Sequence, residues 1–220
     1  MLKNELSVYC LKYADSSLSE SAVFCGGEAG KKIPITFSVY LIKSGERNIL
    51  VDAGCNSMPG FVMKRYFSPV FVLRHFDLAP QDITDVIITH PDHDHIEAVK
   101  YFKNATFFVT NKEYKRAKYY IPDDFKVFTF DGEYVINPQI KIIEWGGHSK
   151  GSAIVEIKLE DKIHILAGDE CYTSFNIENK LPTGAFANKE KAVAFVEKYS
   201  DKKYCVHTCH DKTLKSERIV

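Results

Sequence analysis

The sequence has no excess of either charge: 29 Lys and Arg stand against 29 Asp and Glu. Proteins that hold nucleic acid by bulk charge carry a basic surface, so that class is disfavoured. Also missing is any apolar run of membrane-spanning length, and the opening MLKNELSVYCLKYADSSLSE lacks the apolar stretch of a signal peptide. The expectation is a cytoplasmic protein without a membrane partner. The six cysteines, at 10, 25, 55, 171, 205 and 209, contain no CxxC pair and no regular spacing. In a reducing compartment they read as buried thiols rather than disulfides. No repeat, low-complexity tract or Gly- or Ser-rich linker divides the chain, so one domain over residues 1–220 is the simplest organisation. At 45% apolar residues it can bury a proper core.

Several runs are rich in β-branched and aromatic residues, the composition of strands. They are LSVYCLKY near residue 6, ITFSVYLIK from 35, RNILVDAG from 47, DVIITH at 85–90 and ATFFVT at 105. NKEYKRAKYY then reads as helical. FKVFTF, QIKIIEW, SAIVEIKL and KIHILAGD form a second block of strands, parted by turn signals at Asp131-Gly132 and Gly146-Gly147. A helix is expected over about 188–200, with Asn188 as N-cap and Ala192, Val196 and Tyr199 on one face. KKYCVHTCHD is a last short strand ending in histidine. Strands, helices, strands, helix is an α+β or layered sandwich order. The aromatic stretch from Asn56 to Asp77 fits no clean period; it is either a lid over a site or a peripheral apolar subcore.

The densest chemistry lies in THPDHDHIEAV, residues 89–99, where His90, Asp92, His93, Asp94 and His95 crowd together. Divalent metals need imidazole and carboxylate ligands converging from several segments. A strand ending in a loop that opens onto a helix could turn His90 and Asp92 to one metal and Asp94 and His95 to a second. Further candidates follow apolar runs and adjoin small residues: His148 in WGGHSKGS, Asp169 in HILAGDE and His210 in VHTCHD. One such residue is ordinarily a turn residue or helix cap. The ordered set of them carries the claim.

These motifs, THPDHDH, GGHSKGS, LAGD and HTCHD, together with LVDAG at 50–54, resemble the metallo-β-lactamase superfamily over about residues 35–211. The resemblance implies a four-layer αββα sandwich, with two divalent metals at the edge of two sheets. Its ligand set falls on His90, Asp92, Asp94, His95, His148, Asp169 and His210, with Asp169 bridging and Asp52 orienting the site through hydrogen bonds. Two departures stand out. The second histidine of the family motif is Asp92, and the usual Gly-Gly after it is Glu97-Ala98. Zinc is the expected metal, although a carboxylate at 92 also suits iron or manganese. His93 falls outside the ligand register and reads as a loop residue, and His207 is the rival of His210.

Local details, ATFFVTNKEYKRA and GDECYTSFNIENKLPTG, look most like the acyl-homoserine lactonase branch. The resemblance therefore implies a dinuclear hydrolase of a small ester or lactone. In it, Tyr172 would donate to the developing oxyanion and Asp94 would carry a proton to the leaving group. Asp92 counts against a true lactonase, which has histidine there. The alternatives are an iron-containing redox enzyme, a phosphodiesterase or nuclease, and a metal-bearing sensor without turnover. The partner is a small molecule in the preferred reading.

Overall fold

The computed structural model describes residues 6–159 and 162–220. Its strands are β1 (Ser7–Ser19), β2 (Lys32–Ser44), β3 (Arg47–Val51), β4 (Asp85–Ile87), β5 (Thr106–Thr110) and β6 (Lys126–Phe130), then β7 (Glu133–Asn137), β8 (Ile140–Glu144), β9 (Ala153–Lys158), β10 (Ile163–Leu166), β11 (Tyr204–His207) and β12 (Glu217–Arg218). The helices are α1 (Glu20–Val23), α2 (Pro69–Val72), α3 (His93–Ile96), α4 (Asn111–Ala117), α5 (Ser174–Glu178) and α6 (Lys189–Tyr199). One sheet runs β12-β1-β2-β3-β4-β5-β6 and the other β11-β10-β9-β8-β7.

Side chains alternate between the faces of a strand, and here both faces are apolar. Ile87, Phe108, Ile142, Val155 and Leu166 meet between the two sheets. Their neighbours Val86, Phe107 and Val109 face outward, against Ile96, Val99 and Ala117. On the second sheet Ile154 and Ile165 pack outward on Phe195, Val196 and Tyr199 of α6. Two sheets with helical cover on each outer face make the four-layer αββα sandwich. Each buried aliphatic or aromatic side chain contributes about 1.5–3 kcal/mol.

The helix expected at 188–200 forms as α6, and the Asn188 side chain accepts a 3.0 Å bond from the Lys191 amide. None of the six cysteines is in a disulfide. Among the described residues no helix is long and apolar enough to cross a membrane. Two strands had no counterpart in the sequence reading. At Asp131-Gly132 the chain turns, with Gly132 at φ +69°, from β6 in one sheet into β7 at the edge of the other. Val135 of β7 is 60% exposed, and Tyr134 and Ile136 on the opposite face are only partly buried against the core between the sheets, which leaves a weak apolar stripe. β12 is two exposed residues paired to β1. The 56–77 stretch fits both readings. Val72 and Leu73 join the outer core, whereas Met58 and Phe61 line a cavity over the histidine cluster.

β3, β4, β5 and β6 run parallel in their sheet, and β10 runs parallel to β11 in the other. Asp52 follows β3, His90 follows β4, Asp169 follows β10 and His210 follows β11. Loops at the carboxyl ends of parallel strands are where α/β proteins gather their ligands.

Candidate metal centre

Seven residues singled out in the sequence converge at that edge. His90, Asp92 and His148 form one group of facing ligand atoms, and His95, Asp169 and His210 belong to another. The Asp169 carboxylate lies between them. Its Oδ2 is 3.5 Å from His90 Nε2 and 3.7 Å from His148 Nε2. Its Oδ1 is 3.2 Å from His95 Nε2 and 3.1 Å from His210 Nε2. Asp94 Oδ2 stands 3.6 Å from the Nε2 of both His95 and His210, and Asp92 Oδ2 is 3.2 Å from His148 Nε2. Donors on one tetrahedral zinc lie about 3.3 Å apart, so these spacings suit such an ion.

The four histidines share one orientation, set by what their Nδ1 atoms touch. His95 Nδ1 donates to Asp52 at 2.8 Å, His148 Nδ1 to the Ala185 carbonyl at 2.8 Å and His210 Nδ1 to the Thr36 carbonyl at 2.8 Å. The Thr89 hydroxyl spends its proton on Asp52, so at 3.0 Å it accepts from His90 Nδ1. Every Nε2 therefore faces the centre. Those of His90 and His95 are buried without a hydrogen-bond partner. Leaving a buried polar atom unpaired costs about 1–3 kcal/mol, and a cation among these nitrogens removes that cost. The residues fit a metal.

Electrostatics point the same way. Burial opposes charge on His148, yet Asp92 and Asp169 raise its pKa to about 9. Burial likewise opposes charge on His95 and His210, and the neighbouring carboxylates outweigh it. His90, buried beside His95, is lowered instead. Burial alone would raise the pKa of Asp169, but His95, His210 and His90 hold it well below the usual carboxylate range. The pocket demands positive charge; protons supply it in the absence of a divalent ion.

The ligands are held in turn by Asp52, which the resemblance implied, and by Glu170, Glu113 and Arg116, which the sequence did not single out. Asp52 sits at φ 64°, a left-handed conformation costing about 1–2 kcal/mol in a residue with a Cβ. Its carboxylate takes the Thr89 amide and hydroxyl as well as His95. Glu170, next to Asp169, accepts from the Gly147 and His148 amides at 3.0 and 3.1 Å and from the Ser152 hydroxyl. Glu113 anchors the same loop from α4, accepting from Ser149 Oγ and the Gly151 amide. Arg116 donates to Asp92 Oδ1 at 2.6 Å, leaving Oδ2 for the centre. An acidic residue beside a ligand motif was the signal for Glu170. Nothing in the sequence links Arg116 or Glu113 to residues so far along the chain.

The other candidates separate cleanly. Tyr172 is buried with its ring 5.2 Å from that of His210 and 6.1 Å from that of His148. Burial first, and then Asp169 and Asp94, push its pKa well up, so the phenol keeps its proton. His93 opens α3 rather than lying in a loop, and its Nδ1 is 3.5 Å from the Tyr120 hydroxyl. His207 points elsewhere, 2.9 Å from His164. A cavity of about 270 Å³ opens over the centre. Asp92, Asp94, Asp169 and Tyr172 line its floor, and Leu18, Ile35, Phe37, Met58 and Phe61 line its wall.

The family model described as "Metallo-beta-lactamase superfamily" matches residues 38–203. The chain is 30% identical to the "Probable metallo-hydrolase" of Methanocaldococcus jannaschii over 78% of its length and 75% of that protein. It is 24% identical to the N-acyl homoserine lactonase of Bacillus cereus, covering 84% and 83% of the two chains. A crystal structure of a quorum-quenching N-acyl homoserine lactone lactonase superposes with a TM-score of 0.82 at 25% identity, covering 97% of this chain and 98% of that one. A dizinc quorum-quenching lactonase in complex with its product shares the fold, with a TM-score of 0.75 at 18% identity over 96% and 89% of the chains. Membership implies divalent metal ions. The chain belongs to the metallo-β-lactamase superfamily and is a metal-dependent hydrolase.

Proposed function

We propose that the protein is a dinuclear hydrolase of a small ester or lactone bearing an apolar acyl group. The observation that carries the reading is the division of the Asp169 carboxylate, one oxygen toward His90 and His148 and the other toward His95 and His210. In this reading His90, Asp92 and His148 would hold one ion and Asp94, His95 and His210 the other, with Asp169 placed to serve both. Bound there, divalent ions would supply a water activated at neutral pH and polarisation of the scissile carbonyl. Zinc is the proposed metal, in line with the imidazole-rich donor set and the dizinc lactonase of the same fold.

The chain's own groups supply the rest. Tyr172 keeps its phenolic proton and lies beside both groups of histidines, so it donates to the carbonyl oxygen as charge develops. Asp94, on the cavity floor, carries a proton to the departing alkoxide. Leu18, Ile35, Phe37, Met58 and Phe61 bury the acyl group and keep water from it. A phosphodiester is the second reading, because Lys112, Lys115, Arg116 and Lys150 line a groove on the other side of Asp92 and His148. A panel of lactones, thioesters, phosphodiesters and β-lactams, presented to metal-loaded protein, separates the two. Turnover highest on acyl lactones or esters supports the first reading; turnover confined to phosphodiesters replaces it.

A further inference from the structure

β10 and β11 lie parallel and in register, pairing His164 with Cys205 and Leu166 with His207. Paired residues and residues two apart share a sheet face, so all four project from the same side. Leu166 packs in the core between the sheets. Two imidazoles and a thiol thus point inward from adjacent strands, where leucine or valine would be the expected filling.

His164 Nδ1 is 2.9 Å from His207 Nε2, the rings are stacked at 5.2 Å with 4° between their planes, and Cys205 completes the group. The three ligand atoms lie within 4.8 Å of one another. We propose that His164, Cys205 and His207 form a separate site for one zinc-type cation, away from the hydrolytic centre. The donor set is the argument. Two imidazoles and a thiolate suit zinc and its chemical neighbours, and the absence of carboxylate from the group disfavours magnesium and calcium. Two imidazole nitrogens on one tetrahedral zinc lie about 3.3 Å apart. The pair needs to open by only a few tenths of an ångström, and the proton between the two rings moves to His164 Nε2 as that neutral ring takes its other tautomer. A cation there ties β10 to β11, the two strands whose ends present Asp169 and His210, so its role is to brace them.

Cobalt reports this site separately from the hydrolytic centre. Protein carrying metal at its hydrolytic centre is equilibrated with excess cobalt, passed through a desalting column, and read by elemental analysis and absorption. The wild type should bind one further equivalent and show a thiolate-to-cobalt charge-transfer band. Cys205→Ser should lose the band, and His164→Gln should lose the added equivalent. Both should keep hydrolytic turnover within about twofold of the wild type. Cys209 lies 3.3 Å from Asp169 and offers the competing thiol, so Cys209→Ser should leave the band in place. A wild type that shows no added equivalent, or a band that survives Cys205→Ser, overturns the proposal. If Cys205→Ser or His164→Gln fails to fold, the wild-type count and the Cys209→Ser spectrum still decide.

Discussion

Asp52 grips His95 through a 2.8 Å hydrogen bond to Nδ1 while its own backbone is held at φ 64°. Asparagine tolerates that left-handed conformation, so Asp52→Asn removes charge without adding backbone strain. Partners that orient a metal-binding histidine typically contribute about 10–100-fold in metal affinity. Competition against a chelator should show a loss of that order, with the folded structure retained. Unchanged affinity would mean that His95 is oriented without Asp52.

Asp92 divides its carboxylate between Arg116 and the metal cluster. Asp92→His should shift preference toward zinc over iron and manganese, because imidazole replaces a harder oxygen donor. The check is elemental analysis of protein grown with all three metals. An unchanged ratio would show that Asp92 serves Arg116 and holds no metal.

His207→Ala should leave the hydrolytic pair in place and His210→Ala should not, because only His210 directs its Nε2 at Asp169, from 3.1 Å. Turnover per protein and metal retained after desalting report the difference. The opposite pattern would move the last ligand to His207.

In the metal-free protein His148 has a pKa of about 9, and the pKa values of His95 and His210 are also raised. Near pH 7 His148 and His95, both held well above ordinary histidine by the carboxylates around them, therefore carry protons that a metal must displace. Adding zinc to chelator-treated protein in weak buffer should therefore release protons. Apparent affinity should fall about tenfold per pH unit for each proton displaced as the pH is lowered from 9. A pH-independent affinity would contradict the charge arrangement described here.

Tyr172→Phe keeps the ring against His210 and removes only the hydroxyl. Loss of one oxyanion donor typically lowers turnover about a hundredfold. The variant should lose turnover of that order on its best ester or lactone while keeping both metals. Unchanged turnover would remove the phenol from the reaction.

The residues that converge were legible because each follows a strand-like run and belongs to a motif. The strand positions followed from β-branched and aromatic runs, and α6 from Asn188 and the spacing of Ala192, Val196 and Tyr199. β7 was not legible, since its inward residues Tyr134 and Ile136 are only partly buried and it pairs with β8 after the chain has crossed from the other sheet. Arg116, Glu113 and Glu170 were missed for a different reason. Each acts on a residue or loop distant in sequence, so even Glu170, flagged by its place beside Asp169, shows no link to the residues it holds. His164 carried no signal either, because its pairing with His207 exists only once β10 and β11 lie side by side.

The central claim is that two metals, joined by Asp169, make this chain a hydrolase. Its most direct test is activity against an acyl lactone measured as zinc is returned to chelator-treated protein in fractions of an equivalent. Turnover should rise until about two equivalents are bound at the hydrolytic centre, and Asp169→Ala should show none at any zinc level. Full activity at one equivalent, or turnover retained by Asp169→Ala, would contradict the account.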